Sequence, residues 1–353
     1  MGWQHTKKYK KKQQKKLMKA IFGKSLPLVM AFVVFIGILF SVLYNSYEPV
    51  RDFVDSLGII QTTTSTTTTT STTTASKNTT TTTAKATTTI INNPIAPTED
   101  DELFIHFIDV GQGDSTLLQT SSGSVLIDCG ESEYGDDVVE YLTSQGVEEL
   151  EYFIITHPDS DHMGCAAYVL EHIKVNYFVI NGKTKTAKFF EKALDAVENR
   201  GVDLLNGRAG DVFEVGALII DVIGPRVDDI ETLESNDSSL ILYVSYGERR
   251  FLFTGDAEKE GEALLLKWNK NDIKCDIFSA GHHGAKTSNS LELMMAASPK
   301  YVVISCGAGN SYGHPTAAAL SNFEKCGATV YRTDELGTIV FVTDGTTLTL
   351  ETK

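Results

Sequence analysis

The sequence predicts one α/β domain, two β-sheets packed face to face with helices outside, carried on a segmented N-terminal region. Short β-branched and aromatic runs alternate with helical stretches through residues 99–353. Side chains of metal-ligand type recur where those runs end. The first 98 residues instead hold a lysine-rich tail, an apolar run and a threonine tract, none of which shares that periodicity.

The chain has 353 residues and a formal net charge of −15, an average over unlike parts. Residues 1–24 carry nine lysines and no acid, leaving 22 basic against 46 acidic side chains and a charge of −24 beyond them. Ser25–Tyr44 follows, twenty residues without a charge. At about 1.5 Å per residue this makes a helix of about 30 Å, the thickness of a bilayer's hydrocarbon core. A cleaved signal peptide has a shorter apolar core, about 7–15 residues, and a small-x-small site, which NSYEPVRDF does not offer. The expected element is a signal anchor, with residues 1–24 in the cytoplasm and everything beyond the span outside. The lysines then face an anionic inner leaflet. Residues 45–98 are an extracytoplasmic linker, and positions 62–89 contain nineteen threonines in twenty-eight residues, a composition that cannot bury a face and predicts a solvated tether.

Within 99–353, strands are expected at 103–110, 115–120, 124–130 and 152–157, with helices at 136–145, 162–173 and 186–199. A hairpin is expected around Gly216. The second half repeats the theme, with paired strands at 239–247 and 248–256, a helix at 258–268, and strands at 275–279, 301–305, 329–332 and 338–343. Five cysteines, odd in number and without a C-x-x-C pair, read as buried free thiols rather than a disulfide framework.

The chemistry sits at strand ends. The strand ending at Thr156 runs into His157-Pro158-Asp159-Ser160-Asp161-His162, four potential ligands in six residues on a loop free of either regular period. Imidazole with carboxylate suits zinc, manganese or iron better than calcium. One carboxylate there would serve as a helix cap; two, flanked by two histidines, exceed what a cap needs. Asp256 ends another strand, His282-His283 lies between glycines after a third, and His314 occupies a Gly-His-Pro turn.

Seven stretches in this order carry a resemblance: Asp109–Asp114 (DVGQGD), Leu126–Gly130 (LIDCG), the HPDSDH loop, Asn236–Leu240 (NDSSL), Thr254–Asp256 (TGD), Gly281–Ser288 (GHHGAKTS) and Asn310–Pro315 (NSYGHP). From about Glu102 onward the chain resembles metallo-β-lactamase-fold hydrolases, and specifically the extracytoplasmic hydrolase domain of the ComEC competence proteins. The channel and OB-type parts of that family have no counterpart in the sequence. The resemblance implies a four-layer αββα sandwich and a binuclear site for two divalent ions, zinc or manganese.

It implies His157, Asp159, Asp161 and His162 as metal ligands, Asp159 replacing the usual middle histidine, and Asp256 as the bridging acid. His282 or His283 matches the late histidine; His282 is assigned to metal and His283 to proton transfer. Asp128 and Asp114 are expected to support the ligands from behind. The family's mid-chain histidine is missing, and Asn236, Asp237 and Ser238 stand in its region, which makes manganese a serious candidate.

The implied reaction uses a metal-bridging hydroxide as nucleophile. Asp161 would orient it, and His314 and His283 would protonate the leaving oxygen or hold developing charge. Lys286, Ser288 and Asn236 are the candidate substrate contacts. The leading function is a membrane-anchored phosphodiesterase or nuclease related to DNA uptake. The alternative is a hydrolase of a cell-wall, choline-phosphate or other small ester, or a noncatalytic wall-associated module. The −24 outer charge opposes a nonspecific grip on DNA, leaving the metals and a patch at Lys183, Lys185 and Lys188 to supply it. The sequence offers no clear aromatic platform for single strands, and no protein partner is expected.

Overall fold

The computed structural model describes Pro97 and residues 101–351, apart from Glu231 and Lys270. The lysine tail, the apolar span and the linker other than Pro97 lie outside the described residues. Among the described residues no helix is long and apolar enough to cross a membrane.

The first six strands are β1 (Leu103–Phe107), β2 (Thr116–Thr120), β3 (Gly123–Ile127), β4 (Glu149–Ile154), β5 (Lys174–Ile180) and β6 (Asp203–Asn206). Seven more form a second sheet: β7 (Val212–Val215), β8 (Leu218–Gly224), β9 (Ile241–Tyr246), β10 (Arg249–Phe253), β11 (Ile277–Ser279), β12 (Tyr301–Ile304) and β13 (Thr329–Arg332). The chain then returns to the first sheet with β14 (Ile339–Thr343) and β15 (Leu348–Glu351). The orders are β15-β14-β1-β2-β3-β4-β5-β6 and β13-β12-β11-β10-β9-β8-β7.

Period-two alternation sorts side chains into three apolar layers. On β3, Val125 and Ile127 face the second sheet while Leu126 faces outward; on β10, Phe251 and Phe253 face inward while Leu252 faces outward. The inner faces meet in one core through Ile105, Phe107, Ile220, Val244 and Phe341. Helices α1 (Gly135–Ser144), α2 (Ser160–Met163), α3 (Ala166–His172) and α4 (Lys188–Arg200) lie in the first half. Of these, α1, α3 and α4 bury Leu142, Val169 and Phe190 against the first sheet's outer face. In the second half, α5 (Val227–Ile230) precedes α6 (Lys259–Asn269), α7 (Leu291–Ala297), α8 (Ala317–Lys325) and α9 (Thr333–Leu336). Leu265, Met294 and Phe323 of α6, α7 and α8 cover the second sheet. The result is the expected sandwich, with helices outside two apposed sheets.

Three features differ from expectation. The helix expected over 162–173 is two pieces, parted where Cys165 leaves the helical region (φ −95°, ψ 9°); Gly164 beside it is wedged against backbone, where a Cβ would meet Ser160 O at 2.3 Å and Ser132 N at 2.5 Å. Strands β5, β6 and β15 and helices α5, α7, α8 and α9 add to the expected elements. Several strands also end earlier than expected, with β1 stopping at Phe107 and β3 at Ile127, and the freed residues form loops.

Those loops share one edge. Strands β3 to β6 run parallel, as do β10 to β13. The segments leaving the carboxyl ends of β3, β4, β10, β11 and β12 therefore gather there, the usual place for a ligand in parallel sheets.

Candidate metal centre

Each half contributes one side of a buried cluster. From the first half, Asp128 leaves β3 in a left-handed conformation, φ +56°, which Asp tolerates better than most side chains. Its buried carboxylate accepts from Thr156 N at 2.7 Å and Thr156 Oγ1 at 2.8 Å and lies 2.9 Å from His162 Nδ1. With Nδ1 so engaged, His162 turns Nε2 to within 3.1 Å of Asp256 Oδ1. Holding one ring nitrogen fixes which lone pair faces the site. Burial pushes the Asp128 carboxyl up, partly offset by His162.

From the second half, Asp256 follows β10, its backbone N–H donating to Ser239 Oγ at 3.1 Å. Its two oxygens serve different neighbours. Oδ1 faces His162 Nε2 at 3.1 Å and His283 Nε2 at 3.8 Å, and Oδ2 faces His157 Nε2 at 3.7 Å and His282 Nε2 at 3.6 Å. Asp161 Oδ2 lies 3.2 Å from His283 Nε2, and Asp159 Oδ1 lies 4.0 Å from His157 Nε2.

The two adjacent histidines adopt left-handed conformations, φ +50° and +53°, a strain of about 1–3 kcal/mol each that the surroundings must sustain. Asn289 supplies part of that support: its side chain accepts from Gly281 N and donates to Gly281 O, both at 2.8 Å. Buried Glu262 accepts in turn from Asn289 N. The turn sends the rings apart. His283 is 1% exposed, with Nδ1 3.0 Å from Ser305 O and 3.4 Å from Asp114 Oδ1. His282 is more open and sets Nδ1 3.1 Å from Glu258 Oε1.

Asp114, His162, Asp256 and His283 are all buried, with one ligand-type atom from each within 4.8 Å of the others. Asp114 approaches the Nδ1 side of His283 and of His162, at 3.4 and 4.0 Å, so it stands behind both rings. Buried His157 Nε2, His162 Nε2 and Asp256 Oδ1 make no hydrogen bond. Such atoms are rare in folded proteins without a reason, and a divalent cation facing imidazole and carboxylate donors satisfies all three.

Electrostatics agree. Burial and the neighbouring His162 push His157 down to about 4, leaving it neutral. Burial opposes charge on His162 and His283, yet Asp256 together with Asp128 for one and Asp114 for the other holds both well above the usual imidazole range. Burial likewise opposes ionisation of Asp161 and Asp256, but the surrounding imidazoles hold both below the carboxylate range. Without a cation, protons on His162 and His283 balance the carboxylates.

The metallo-beta-lactamase superfamily model matches residues 108–308, which take in every residue of the buried cluster. The chain belongs to the metallo-beta-lactamase superfamily. ComE operon protein 3 of Bacillus subtilis (strain 168) is 35% identical over 265 residues, covering 70% of this chain and 34% of that protein. Competence protein ComA of Neisseria gonorrhoeae is 30% identical over 240 residues, covering 66% and 31%. Recombination protein 2 of Haemophilus influenzae is 28% identical over 237 residues, covering 66% and 28%. The chain spans about a third of the length of these relatives. It is a ComEC-like member of the superfamily, a hydrolase family related to competence proteins.

In this superfamily domain the remaining expected residues divide. The proton-transfer role expected of His283 does not fit its place, because it is too deeply buried to reach a leaving group and lies among the cluster's donors, while His282 keeps Nε2 toward Asp256 as expected. Ser288, expected at substrate, is 4% exposed and stands behind Gly281, so it is withdrawn from the surface. Lys286 is exposed beyond the turn. Asn236 is half-buried in the single turn Asn236–Ser238. That segment buttresses the centre: Ser239 Oγ holds Asp256, and Asp237 Oδ1 accepts from Glu258 N at 2.9 Å and Gly261 N at 2.7 Å.

Asp159 stands at the N-cap position of α2, but its side chain makes no capping bond. Its carboxylate meets Lys185 Nζ at 2.8 Å and Ser235 Oγ at 2.6 Å. Burial opposes its ionisation, but His157, Lys185 and Ser235 hold its pKa low. Lys183 Nζ donates to Leu233 O at 2.7 Å, so two of the three lysines read as a basic patch are already engaged.

His314 is half-buried, its ring 5.6 Å from that of His282. Burial and the two neighbouring histidines push it down to about 4. It is therefore a neutral hydrogen-bonding group at neutral pH rather than an imidazolium acid. His106 Nδ1 lies 2.9 Å from Tyr141 Oη and His172 Nδ1 lies 2.8 Å from Tyr168 O, both away from the cluster. Ser235, Glu258 and Ser305 were not expected at the site. All five cysteines are free.

Proposed function

We propose that the chain is a membrane-anchored, extracytoplasmic phosphodiesterase that uses two divalent cations, zinc or manganese, with DNA as its leading substrate. The observation that carries the binuclear reading is Asp256, which offers one oxygen to His162 and His283 and the other to His157 and His282. One cation would be held by His157, Asp159, His282 and Asp256, the other by Asp161, His162, His283 and Asp256. Bound divalent ions lower the pKa of water toward neutrality and polarise a phosphoryl oxygen. Asp161, with 27% of its side chain exposed, would orient the attacking water. Neutral His314 would donate a hydrogen bond to the leaving oxygen, and Lys185, beside Asp159, would meet a phosphate oxygen. Asn236 and Lys286 remain outer substrate contacts in this reading. The apolar run Ser25–Tyr44 and the lysines before it support the anchor and its orientation.

The −24 charge beyond residue 24 favours a second reading, in which the diester is a small or wall-derived molecule rather than a polyanion. The test is to purify the full chain, measure bound metal, and assay bis-p-nitrophenyl phosphate beside single- and double-stranded DNA with zinc or manganese. Unchanged diesterase turnover in Asp161→Ala or Asp256→Ala would end the binuclear reading. Strong diester turnover with neither DNA cut selects the second substrate class.

A further inference from the structure

One side chain at the rim has a use that the centre itself does not explain. Tyr312 is 70% exposed, the most open of the large apolar side chains among the described residues. It is not a stray surface aromatic. Its ring lies 5.7 Å from that of His314 at an interplanar angle of 24°, and the His314 ring meets His282 at 5.6 Å and 75°. One face of the tyrosine is therefore backed by the wall of the centre, and its exposure leaves a flat aromatic surface open to solvent.

The loop that carries it is tied down. Asn310 Nδ2 donates to Gly307 O at 2.9 Å and to His314 O at 2.6 Å, while His314 N donates back to Asn310 Oδ1 at 3.0 Å. Gly307 N donates to Gln112 Oε1 at 3.2 Å, joining the loop to the segment after β1. A rigid aromatic held with a free face loses little entropy on receiving a planar partner.

We propose that Tyr312 is the stacking platform for a nucleobase of the substrate, holding the strand at the His314 rim of the centre. This rests on the phosphodiesterase reading above and adds to it the recognition of an aromatic base. Stacking is also the mode of base recognition that the charge balance penalises least. An outer part at −24 opposes holding a nucleic acid by phosphate neutralisation alone, whereas base–aromatic stacking needs no cation and contributes about 1–3 kcal/mol per base.

The test measures binding of the metal-loaded full chain to two labelled strands with nuclease-resistant phosphorothioate linkages, a short oligothymidylate and an abasic strand of equal length and charge. The wild type is expected to prefer the base-bearing strand by about 5- to 150-fold, the equivalent of one stacked base. Tyr312→Ala should bring the two affinities together by weakening only the oligothymidylate, and Tyr312→Phe or Tyr312→Trp should keep the preference. Equal binding of both strands by the wild type, including binding of neither, overturns the platform. So does an equal loss for both strands in Tyr312→Ala, which marks a structural role. Binding is read without turnover, so an inactive protein that still distinguishes the strands refutes the diesterase reading while leaving the platform standing.

Discussion

Replacing Asp128 with asparagine separates the arrangement of the centre from its ligands. The change is nearly isosteric, and asparagine tolerates the left-handed conformation at this position, so the backbone should stay in place. The carboxylate engages Thr156 N, Thr156 Oγ1 and His162 Nδ1 at 2.7, 2.8 and 2.9 Å. An amide oxygen can keep the first, but the amide NH2 then faces the hydroxyl and the imidazole. His162 must either keep a proton on Nδ1 against a donor or move it to Nε2, which removes the lone pair turned toward Asp256. The first course forfeits a charge-assisted hydrogen bond, about 1.5–3 kcal/mol; the second blocks metal ligation. Either way, metal affinity should fall about 10- to 100-fold, roughly 1.4–2.8 kcal/mol. Affinity is measured by competition with a chromophoric chelator, with bis-p-nitrophenyl phosphate turnover and a thermal melt alongside. A folded Asp128→Asn protein that binds metal and turns over within twofold of wild type would refute the view that Asp128 orients His162.

Other expectations follow from the same geometry. Apparent metal affinity should rise between pH 6 and pH 8, because the carboxylates hold His162 and His283 above the usual imidazole range and a cation must displace their protons; isothermal titration in buffers of different ionisation enthalpy should register proton release, and a pH-independent affinity counts against it. Gly164→Ala places a methyl against Ser160 O and Ser132 N, so it should destabilise by about 1–3 kcal/mol and lower the melting temperature by about 2–12 °C; an unchanged melt contradicts the wedge. In the folded protein at pH 8, thiol labelling should be slow at Cys129, Cys165, Cys275 and Cys306, which are buried, with Cys306 pushed up to about 12 by burial and Asp334. All five should label in denaturant, and rapid labelling of those four before unfolding would contradict the packing.

The sequence carried the centre's outline because His157–His162 compresses four ligand-type residues into one loop, a density that survives without coordinates. Asp256 was readable as the acid ending a strand. The difference between His282 and His283 was not, since two adjacent imidazoles are equivalent on paper and only the two left-handed backbones decide which ring is buried and which stays half-open. Ser305 escaped because it acts through a backbone carbonyl, which no residue type announces. Glu258 and Ser235 are common surface residue types whose contacts depend on loops folding back. Strand β5 was missed for a local reason: Ile173 ends one helix and Lys174 opens the strand, with neither glycine nor proline between them. Strands β6 and β15 are four residues long and occupy sheet edges, where alternation has little length in which to declare itself.

The split ownership of the cluster sets when it can come into being. His157, Asp159, Asp161 and His162 belong to the first half of the domain, whereas Asp256, His282 and His283 follow strands of the second sheet. A chain emerging from its N-terminus holds only half a set of donors until residue 283 has followed and the two sheets have closed on each other. A cation bound by both groups of donors would fasten one sheet to the other by its binding free energy.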